Sequence, residues 1–145
     1  MNSVGIIGFG RFGKVLSNIL QKGFMIKVYD IRTLSNHNGV EFTSLKEVMK
    51  EKVIFIAVPI RHFKSLLHNI SGQLKNNNTI IDVCSVKRYT SDIMKNVLPK
   101  EIGIISSHPM FGPDSYLSNK KLKMMMHCTR DVHSQYDFWR KFFSD

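Results

Sequence analysis

A glycine-rich turn close to the start of the chain constrains the possible folds more than any other feature. The turn follows an apolar run, Val4–Ile7, and precedes a segment whose apolar residues recur at helical spacing until Gly23. The residues of the turn are Gly8, Phe9, Gly10, Arg11, Phe12 and Gly13. A Gly-x-Gly-x-x-Gly pattern is weak by itself. Between a strand and a helix, it predicts the first turn of a dinucleotide-binding βαβ unit.

Each glycine of this turn has a separate predicted task. Gly8 permits the tight turn, Gly10 leaves the backbone bare so that a pyrophosphate can approach, and Gly13 lets the helix pack close to the strand. The backbone N–H groups of Arg11 and Phe12 lack helical partners, so we expect them to face the phosphates, helped by the helix dipole. The alternative is a glycine turn with a purely structural role.

The second apolar run, Met25–Tyr29, ends at an acidic residue, Asp30. Asp30 lies about 20 residues beyond the motif, where a carboxylate hydrogen-bonds the ribose 2′-hydroxyl of NAD and repels the additional phosphate of NADP. The sequence therefore favours NAD. Arg32 keeps NADP open, because an arginine nearby can pair with that phosphate. Ile31 lies between the two and belongs to the same predicted cofactor-binding segment.

Apolar runs alternate with amphipathic stretches along the whole chain. We predict strands at Val4–Ile7, Met25–Tyr29, Val53–Val58, Thr79–Cys84, Ile102–Ser106 and Leu122–Thr129. We predict helices from Phe12, after a capping box of Ser44 and Glu47, around Phe63–Ile70, from a Thr90 or Ser91 cap, and over Ser134–Phe143, with a loop over Pro109–Lys121. Strands without polar alternation suit a sheet covered on both faces. The alternation predicts a doubly wound parallel sheet of Rossmann type, in a single three-layer α/β domain over residues 1–145.

Three further strand ends belong to the predicted ligand-binding edge, because open parallel sheets bind ligands at the carboxyl ends of their strands. The third strand ends at Val58 and Pro59, whose backbone we expect to line the cofactor. The fourth strand leads into the segment Asp82–Lys87, and the fifth leads into Ser106–Ser115. Polar and titratable side chains at these ends are therefore the candidates for chemistry.

The glycine turn and these two segments together carry a family resemblance. The Asp-x-x-Ser-Val-Lys segment is Asp82–Lys87, and the His-Pro-Met-Phe-Gly-Pro-Asp-Ser segment is His108–Ser115. Their order and spacing resemble those of prephenate and arogenate dehydrogenases over nearly the whole chain. The second segment is especially similar to arogenate-specific members of that family.

The resemblance implies an oxidative decarboxylation in tyrosine biosynthesis, with hydride transfer to NAD(P). The implied substrate is the cyclohexadienol prephenate, or its amino analogue arogenate. In this reading His108 accepts the proton of the substrate hydroxyl, because a neutral imidazole is a suitable base near physiological pH. Ser85 hydrogen-bonds the same hydroxyl or the imidazole, and Lys87 holds the loop or adds positive charge. Asp114 and Ser115 are expected beside the substrate.

The resemblance also implies a C-terminal helical domain that forms the dimer and provides an arginine for the substrate carboxylate, whereas this chain stops at Asp145. We therefore expect a nearly complete cofactor site and a half-open substrate site, with a homodimer left open. Two alternatives remain. One is a catalytically incomplete nucleotide-binding module, and the other is a Rossmann-fold oxidoreductase acting on β-hydroxyacids or imines. His108 with Ser85 favours the dehydrogenase over the latter.

Composition excludes several classes of function. The 145 residues carry a formal net charge of +10, but the basic residues are scattered and no nucleic-acid-reading module is present, so we expect small anionic ligands and no nucleic acid. No apolar run reaches the ~18 residues of a membrane span, and no signal peptide precedes the first strand, so we expect a cytoplasmic protein without a membrane partner. Cys84 and Cys128 are expected to be buried thiols. His127 and His133 do not follow a zinc-binding spacing, so no metal is expected.

Overall fold

The computed structural model describes residues 2–35, 37–118 and 122–144 of the chain. Its strands are β1 (Ser3–Ile7), β2 (Met25–Tyr29), β3 (Val40–Phe42), β4 (Val53–Ile56), β5 (Thr79–Asp82), β6 (Gly103–Pro109) and β7 (Met124–Arg130). Its helices are α1 (Arg11–Leu20), α2 (Leu45–Val48), α3 (Ile60–Ser71), α4 (Lys87–Val97), α5 (Pro113–Leu117) and α6 (Tyr136–Phe142). None of the helices in these ranges has the length and apolar character that crossing a membrane requires.

The strands form one sheet in the order β3-β2-β1-β4-β5-β6-β7. The first five pairings are parallel, which confirms the predicted doubly wound α/β fold. The prediction of a fully parallel sheet is wrong at one edge, where β7 runs antiparallel to β6. The chain turns back directly at this edge, because Met124 at the start of β7 lies opposite Pro109 at the end of β6. The one described helix between these strands, α5, has five residues.

Helices cover both faces of the sheet, so two apolar cores form. On one face, α2, α3 and α4 bury residues that include Phe63, Leu67 and Met94 against the central strands. On the other face, α1 and α6 pack on the opposite sides of the same strands. Trp139 of α6 is 1% exposed, and its ring lies 5.1 Å from that of Phe55 in β4. The aromatic residues of the last predicted helix therefore pack on the sheet.

Local features follow the sequence in part. Ser44 caps α2 as predicted, because its side chain accepts a hydrogen bond of 3.2 Å from the Glu47 N–H. The helix predicted to start at a Thr90 or Ser91 cap begins earlier, at Lys87. Strand β3 was not predicted, and α5 lies inside the predicted loop over Pro109–Lys121, of which residues 119–121 are outside the described residues.

The expectation that both cysteines are buried is wrong for Cys128. Its side chain is exposed on β7, whereas Cys84 is partly buried. Strand β7 is the edge strand of the sheet, and no described strand pairs with its outer side. Successive side chains of a strand point to opposite faces, so Met124–Arg130 alternates between half-buried and exposed residues over its first four positions.

Candidate functional site at the carboxyl edge of the sheet

The carboxyl ends of β1, β2, β4, β5 and β6 meet at one edge of the sheet because these strands are parallel. Strands β1 and β4 are neighbours, but α1 after β1 and α3 after β4 pack on opposite faces. A crevice therefore opens above the ends of β1 and β4, which is where open α/β sheets bind ligands. All five strand ends that were singled out in the sequence lie at this edge.

The glycine turn bends directly over the end of β1. Gly8 has φ +100°, and a Cβ there would lie 2.5 Å from the Ala57 carbonyl oxygen. A Cβ on Gly13 would lie 2.5 Å from the Gly8 carbonyl oxygen, so α1 can approach the strand this closely only without a side chain. Gly10 differs from both, because a Cβ there would meet no atom within 4 Å. The turn thus packs tightly at two glycines and leaves open space at the third.

Helix α1 begins at Arg11, directly after Gly10 and the open space beside it. Gly10 caps the helix without a side-chain hydrogen bond, and the first turn contains no acidic residue. The first hydrogen bond of the helix runs from the Lys14 N–H to the Gly10 carbonyl, at 3.1 Å. The preceding N–H groups and the positive end of the helix dipole are the features with which helix N-termini bind anions.

Asp30 follows β2 and accepts hydrogen bonds through both carboxylate oxygens. The Phe9 N–H donates to Oδ2 at 2.7 Å, which ties the glycine turn to the end of β2. The Arg32 N–H and Nε donate to Oδ1, each at 2.9 Å. The Arg32 hydrogen bonds lower the pKa of Asp30 to about 2, with a further contribution from the Phe9 N–H. Asp30 is therefore an anion over the entire physiological pH range.

A pocket of about 810 Å³ extends from the glycine turn along the ends of β2 and β4. Its walls include every residue of the turn from Gly8 to Phe12, as well as Asp30–Arg32 and Val58–Pro59. A further wall is one face of α3, from Arg61 to Asn69. The sequence analysis did not predict this wall. Its residues share one face of the helix, because Arg61, Ser65 and Asn69 are spaced at i, i+4 and i+8, and His62 and Leu66 lie beside them.

These residues fit a dinucleotide. The volume lies in the usual range of ligand pockets, about 300–1,000 Å³. Gly10 leaves space where a pyrophosphate approaches the backbone, and the start of α1 offers N–H donors for it. Asp30 lies at the end of the second strand, where a ribose hydroxyl is bound in this type of fold.

A smaller pocket of about 230 Å³ continues along the edge to the end of β5. Phe12, Ala57 and Val58 line both pockets, so the two are neighbours along the edge. Ser85 is exposed and lines the smaller pocket, next to Cys84. Burial raises the pKa of Cys84 to about 11, so this thiol is not a nucleophile at neutral pH. The arrangement places Ser85 at the far end of the same edge as Asp30.

Lys87 follows Ser85 by two residues and forms an ion pair with Asp82, the last residue of β5. The Asp82 side chain is fully buried, and that of Lys87 is 26% exposed. Burial raises the pKa of Asp82 and lowers that of Lys87, while their mutual attraction opposes both changes. Ser107 Oγ donates to the Asp82 carbonyl at 2.7 Å and so links β5 to β6. Asp82 and Ser107 were not among the predicted site residues, although Asp82 opens the segment quoted above.

His108 is half-buried near the end of β6, opposite Met125 of β7. Strand alternation places its side chain on the same face as Ser106, which bonds Ser91 of α4 at 2.7 Å. His108 and Ser85 thus both lie at the carboxyl edge of the sheet. Neither of the two pockets described above has His108 in its described lining.

Asp114 and Ser115 belong to α5 and are exposed. Asp114 pairs with Arg11 Nη2 at 3.3 Å, and the ring of Phe111 lies 5.9 Å from that of Phe12. The segment after β6 is therefore held against the start of α1. Among the described residues, no group of three or more acidic, histidine or cysteine side chains is arranged to hold a metal ion.

Comparison with known families gives a match over most of the chain. A family model described as the nucleotide-binding domain of prephenate dehydrogenase matches residues 18–123. The matched range contains Asp30, Ser85, Lys87 and His108, but it begins after the glycine turn. The turn is therefore supported by its own geometry rather than by this match.

Individual relatives agree with that match. Arogenate dehydrogenase 1, chloroplastic, of Arabidopsis thaliana is 32% identical over 77% of this chain and 19% of its own length. The probable arogenate/prephenate dehydrogenase of Methanocaldococcus jannaschii is 29% identical over 77% of this chain and 26% of its own length. This chain thus spans less than a third of either relative.

A solved structure shows the same fold. The crystal structure of prephenate dehydrogenase from A. aeolicus, in complex with hydroxyphenyl propionate and NAD+, superposes with a TM-score of 0.73 at 20% identity. The superposition covers 99% of this chain and 57% of the other.

Proposed function

This chain belongs to the prephenate dehydrogenase family, whose nucleotide-binding domain it matches, and from that premise we propose that it is the cofactor half of a prephenate or arogenate dehydrogenase. One observation carries the proposal. A carboxylate at Asp30, an open backbone at Gly10 and a hydroxyl at Ser85 follow one another along a single edge of the sheet. That order matches the order of groups in a dinucleotide laid along the edge, with a ribose at Asp30, the pyrophosphate at Gly10 and the reactive ring at the Ser85 end.

NAD is the proposed cofactor. Asp30 suits the ribose hydroxyls of NAD and opposes the additional phosphate of NADP. The prephenate dehydrogenase from A. aeolicus was crystallised with NAD+, which supports the same choice. Phe9 to Gly13 would hold the pyrophosphate, Ile31 and Arg32 would border the adenosine end, and Val58 with Pro59 would line the middle.

The proposed reaction is the oxidative decarboxylation of a cyclohexadienol acid. When bound, the nicotinamide ring supplies the acceptor for the hydride that leaves C4 of the substrate. His108 takes the proton from the C4 hydroxyl, and Ser85 hydrogen-bonds that hydroxyl or the imidazole and so fixes their geometry. Loss of the ring carboxylate as CO2 leaves its electron pair in the ring, which becomes aromatic, and His108 returns the proton to the phenolate oxygen to give hydroxyphenylpyruvate or tyrosine.

The other site residues act by placement in this proposal. Lys87 holds the segment that carries Ser85 through its ion pair with buried Asp82. Asp114, paired with Arg11, and the neighbouring Ser115 stand at the entrance beside the glycine turn. A homodimer remains a prediction from the family resemblance, and a cytoplasmic location remains a prediction from the composition of the sequence.

A cofactor titration followed by a substrate assay tests the proposal. We expect NADH to quench or shift protein fluorescence on binding, and prephenate or arogenate to be oxidised with NAD. His108→Asn should lower the turnover rate by about a hundredfold or more and change NADH affinity little, because the imidazole acts in proton transfer. His127→Asn, an exposed histidine on the neighbouring strand, is the matched control and should keep full activity.

Two results would contradict the proposal. Full activity of His108→Asn would remove the assigned base, and failure to bind either NADH or NADPH would remove the cofactor site. NADH binding without turnover of either substrate would favour the alternative of a catalytically incomplete nucleotide-binding module.

A further inference from the structure

The carboxylate of Asp30, which the proposed function assigns to the cofactor ribose, is already fully occupied by hydrogen bonds within the chain. Oδ1 accepts from the Arg32 N–H and from Arg32 Nε, both at 2.9 Å. Oδ2 accepts from the Phe9 N–H at 2.7 Å and from Arg32 Nη2 at 3.1 Å. A carboxylate offers roughly four lone-pair positions, so these four donors leave none for a ribose hydroxyl.

Two of these four donors are fixed and two are mobile. The N–H groups of Phe9 and Arg32 belong to the backbone of the turn and of the segment after β2, so they stay in place when a ligand binds. Nε and Nη2 belong to the Arg32 side chain, which is 58% exposed. Nη2 also donates to the Phe9 carbonyl oxygen at 2.9 Å, which fixes the guanidinium across the pocket end. Only the guanidinium can therefore make room for a ribose.

We propose, on the basis of the cofactor site above, that Arg32 is an intramolecular competitor that covers Asp30 in the free protein and sets its selectivity between NAD and NADP. Ribose hydroxyls reach Asp30 only after the guanidinium leaves it. At the ribose, NAD offers the displaced guanidinium no charged partner. NADP offers a phosphate at the ribose 2′ position, which a guanidinium binds through paired hydrogen bonds.

The surroundings of Arg32 support this role. The wall opposite Arg32 carries Arg61 and His62, whose side chains meet at 3.1 Å between Nε and Nε2. In the described lining of this pocket, Asp30 is the sole acidic residue, whereas Arg11, Arg32 and Arg61 are cationic. After Arg32 leaves Asp30, it still lies in a pocket whose positive charges can accept the additional phosphate of NADP. The negative charge of Asp30 is the main feature of this pocket that weakens NADP binding.

Removal of the Arg32 side chain should therefore change the affinities for the two cofactors in opposite directions. In Arg32→Ala, NADH should bind about three- to fivefold more tightly, because exposed ion pairs of this kind contribute up to roughly one kcal/mol, or about fivefold. NADPH should bind about tenfold more weakly, because it loses a charge-assisted partner and still faces Asp30. Fluorescence titration of the intact chain with each reduced cofactor measures both.

Arg11→Ala is the matched control. Arg11 lines the same pocket and also pairs with an aspartate, Asp114, but it lies at the pyrophosphate end that both cofactors share. Removal of the Arg11 side chain should weaken the binding of NADH and of NADPH by the same factor, so that the ratio of the two affinities stays constant. This separates a specific role of Arg32 from a general loss of positive charge.

A second measurement does not depend on cofactor. The Arg32 guanidinium holds the pKa of Asp30 at about 2, so an NMR titration of the carboxyl carbon in Arg32→Ala should show a higher pKa for Asp30. If Arg32→Ala left NADH affinity unchanged, or lowered the affinities for NADH and NADPH equally, the proposed role of Arg32 as a competitor would be overturned. The proposed function would remain intact. Wild-type protein that binds neither cofactor would overturn both.

Discussion

At the residue scale, the three glycines of the turn are required for three different physical reasons. Gly8 has a backbone conformation with φ +100°, which residues with a side chain rarely adopt. Gly13 is needed because of contact, since its α-carbon faces the Gly8 carbonyl at a distance that leaves no room for a Cβ. Gly10 has ordinary backbone angles and free space around it. The fold would tolerate a side chain at position 10. The use of glycine there therefore indicates that a ligand occupies the space beside it.

This difference predicts a separation of stability from binding. Gly13→Ala should lower the free energy of unfolding by about 2 kcal/mol or more, because a methyl group is forced against backbone. Gly10→Ala should change stability by less than about 1 kcal/mol, yet weaken NADH binding by tenfold or more, because the methyl group enters the space of the pyrophosphate. Urea denaturation and NADH titration of both variants measure the two effects. Equal NADH affinity in Gly10→Ala and wild type would remove the phosphate position assigned here.

At the scale of elements, the connection from β5 to α4 is closed by one ion pair, between a partly exposed lysine and a buried aspartate. Asp82 ends the strand and Lys87 begins the helix, so their contact closes the intervening segment that presents Ser85. The Ser107 side chain fixes the same strand end to β6, one residue before His108. Two elements that carry the candidate catalytic groups are thus joined through Asp82. An isolated buried carboxylate would be costly, so the lysine is needed for this geometry.

Removal of that lysine should destabilise the fold in a pH-dependent way. Lys87→Met should cost roughly 3 kcal/mol at pH 7, because it leaves the Asp82 carboxylate buried without a cation. Burial already raises the pKa of Asp82, and loss of Lys87 raises it further. The neutral form is then the stable one, so the variant should be closest to wild type below about pH 4 and lose stability as the pH rises. Urea denaturation at several pH values measures this.

Lys95→Met provides the control for this experiment. Lys95 lies on the same helix and pairs with Asp92 at 3.3 Å, but both side chains are about half exposed. Its replacement should change stability by less than about 0.5 kcal/mol at any pH. A pH-independent loss in Lys87→Met, or an equal loss in both variants, would mean that Asp82 is not the group that needs the lysine.

At the scale of the whole molecule, positive charge and the open edge of the sheet act together. The chain carries a formal net charge of +10, and three arginines line the main pocket. A field of this sign attracts phosphate-bearing ligands and raises their rate of encounter. The scattered distribution of basic residues, which argued against nucleic acid in the sequence, is compatible with this role.

The charge predicts a salt-dependent cofactor affinity. Raising KCl from about 50 to 500 mM shortens the Debye length from roughly 14 to 4 Å, so NADH affinity should fall by about threefold or more. Adenosine lacks the phosphates and serves as the control, because its affinity should change little over the same range. An NADH affinity that stays constant with salt would show that the pocket arginines do not act on the pyrophosphate.

Much of this architecture could be predicted from the sequence because its signals are local. The Gly8–Gly13 turn, the Ser44 cap and the apolar strands depend on neighbours within a few residues, and the structure has each of them. The antiparallel direction of β7 was missed because strand direction is decided by the length and route of a connection. The exposure of Cys128 was missed for a related reason, since an apolar sequence does not reveal which strand forms the edge.

The sequence by itself determined the fold class and the family, since periodicity and short motifs are properties of adjacent residues. Only the tertiary structure showed that Arg32 covers Asp30, that Asp82 lies beneath the Ser85 segment, and that α3 forms the second wall of the pocket. These contacts join groups on different elements or fix one of several side-chain conformations. Their geometry depends on how the sheet twists and packs, which no local pattern encodes.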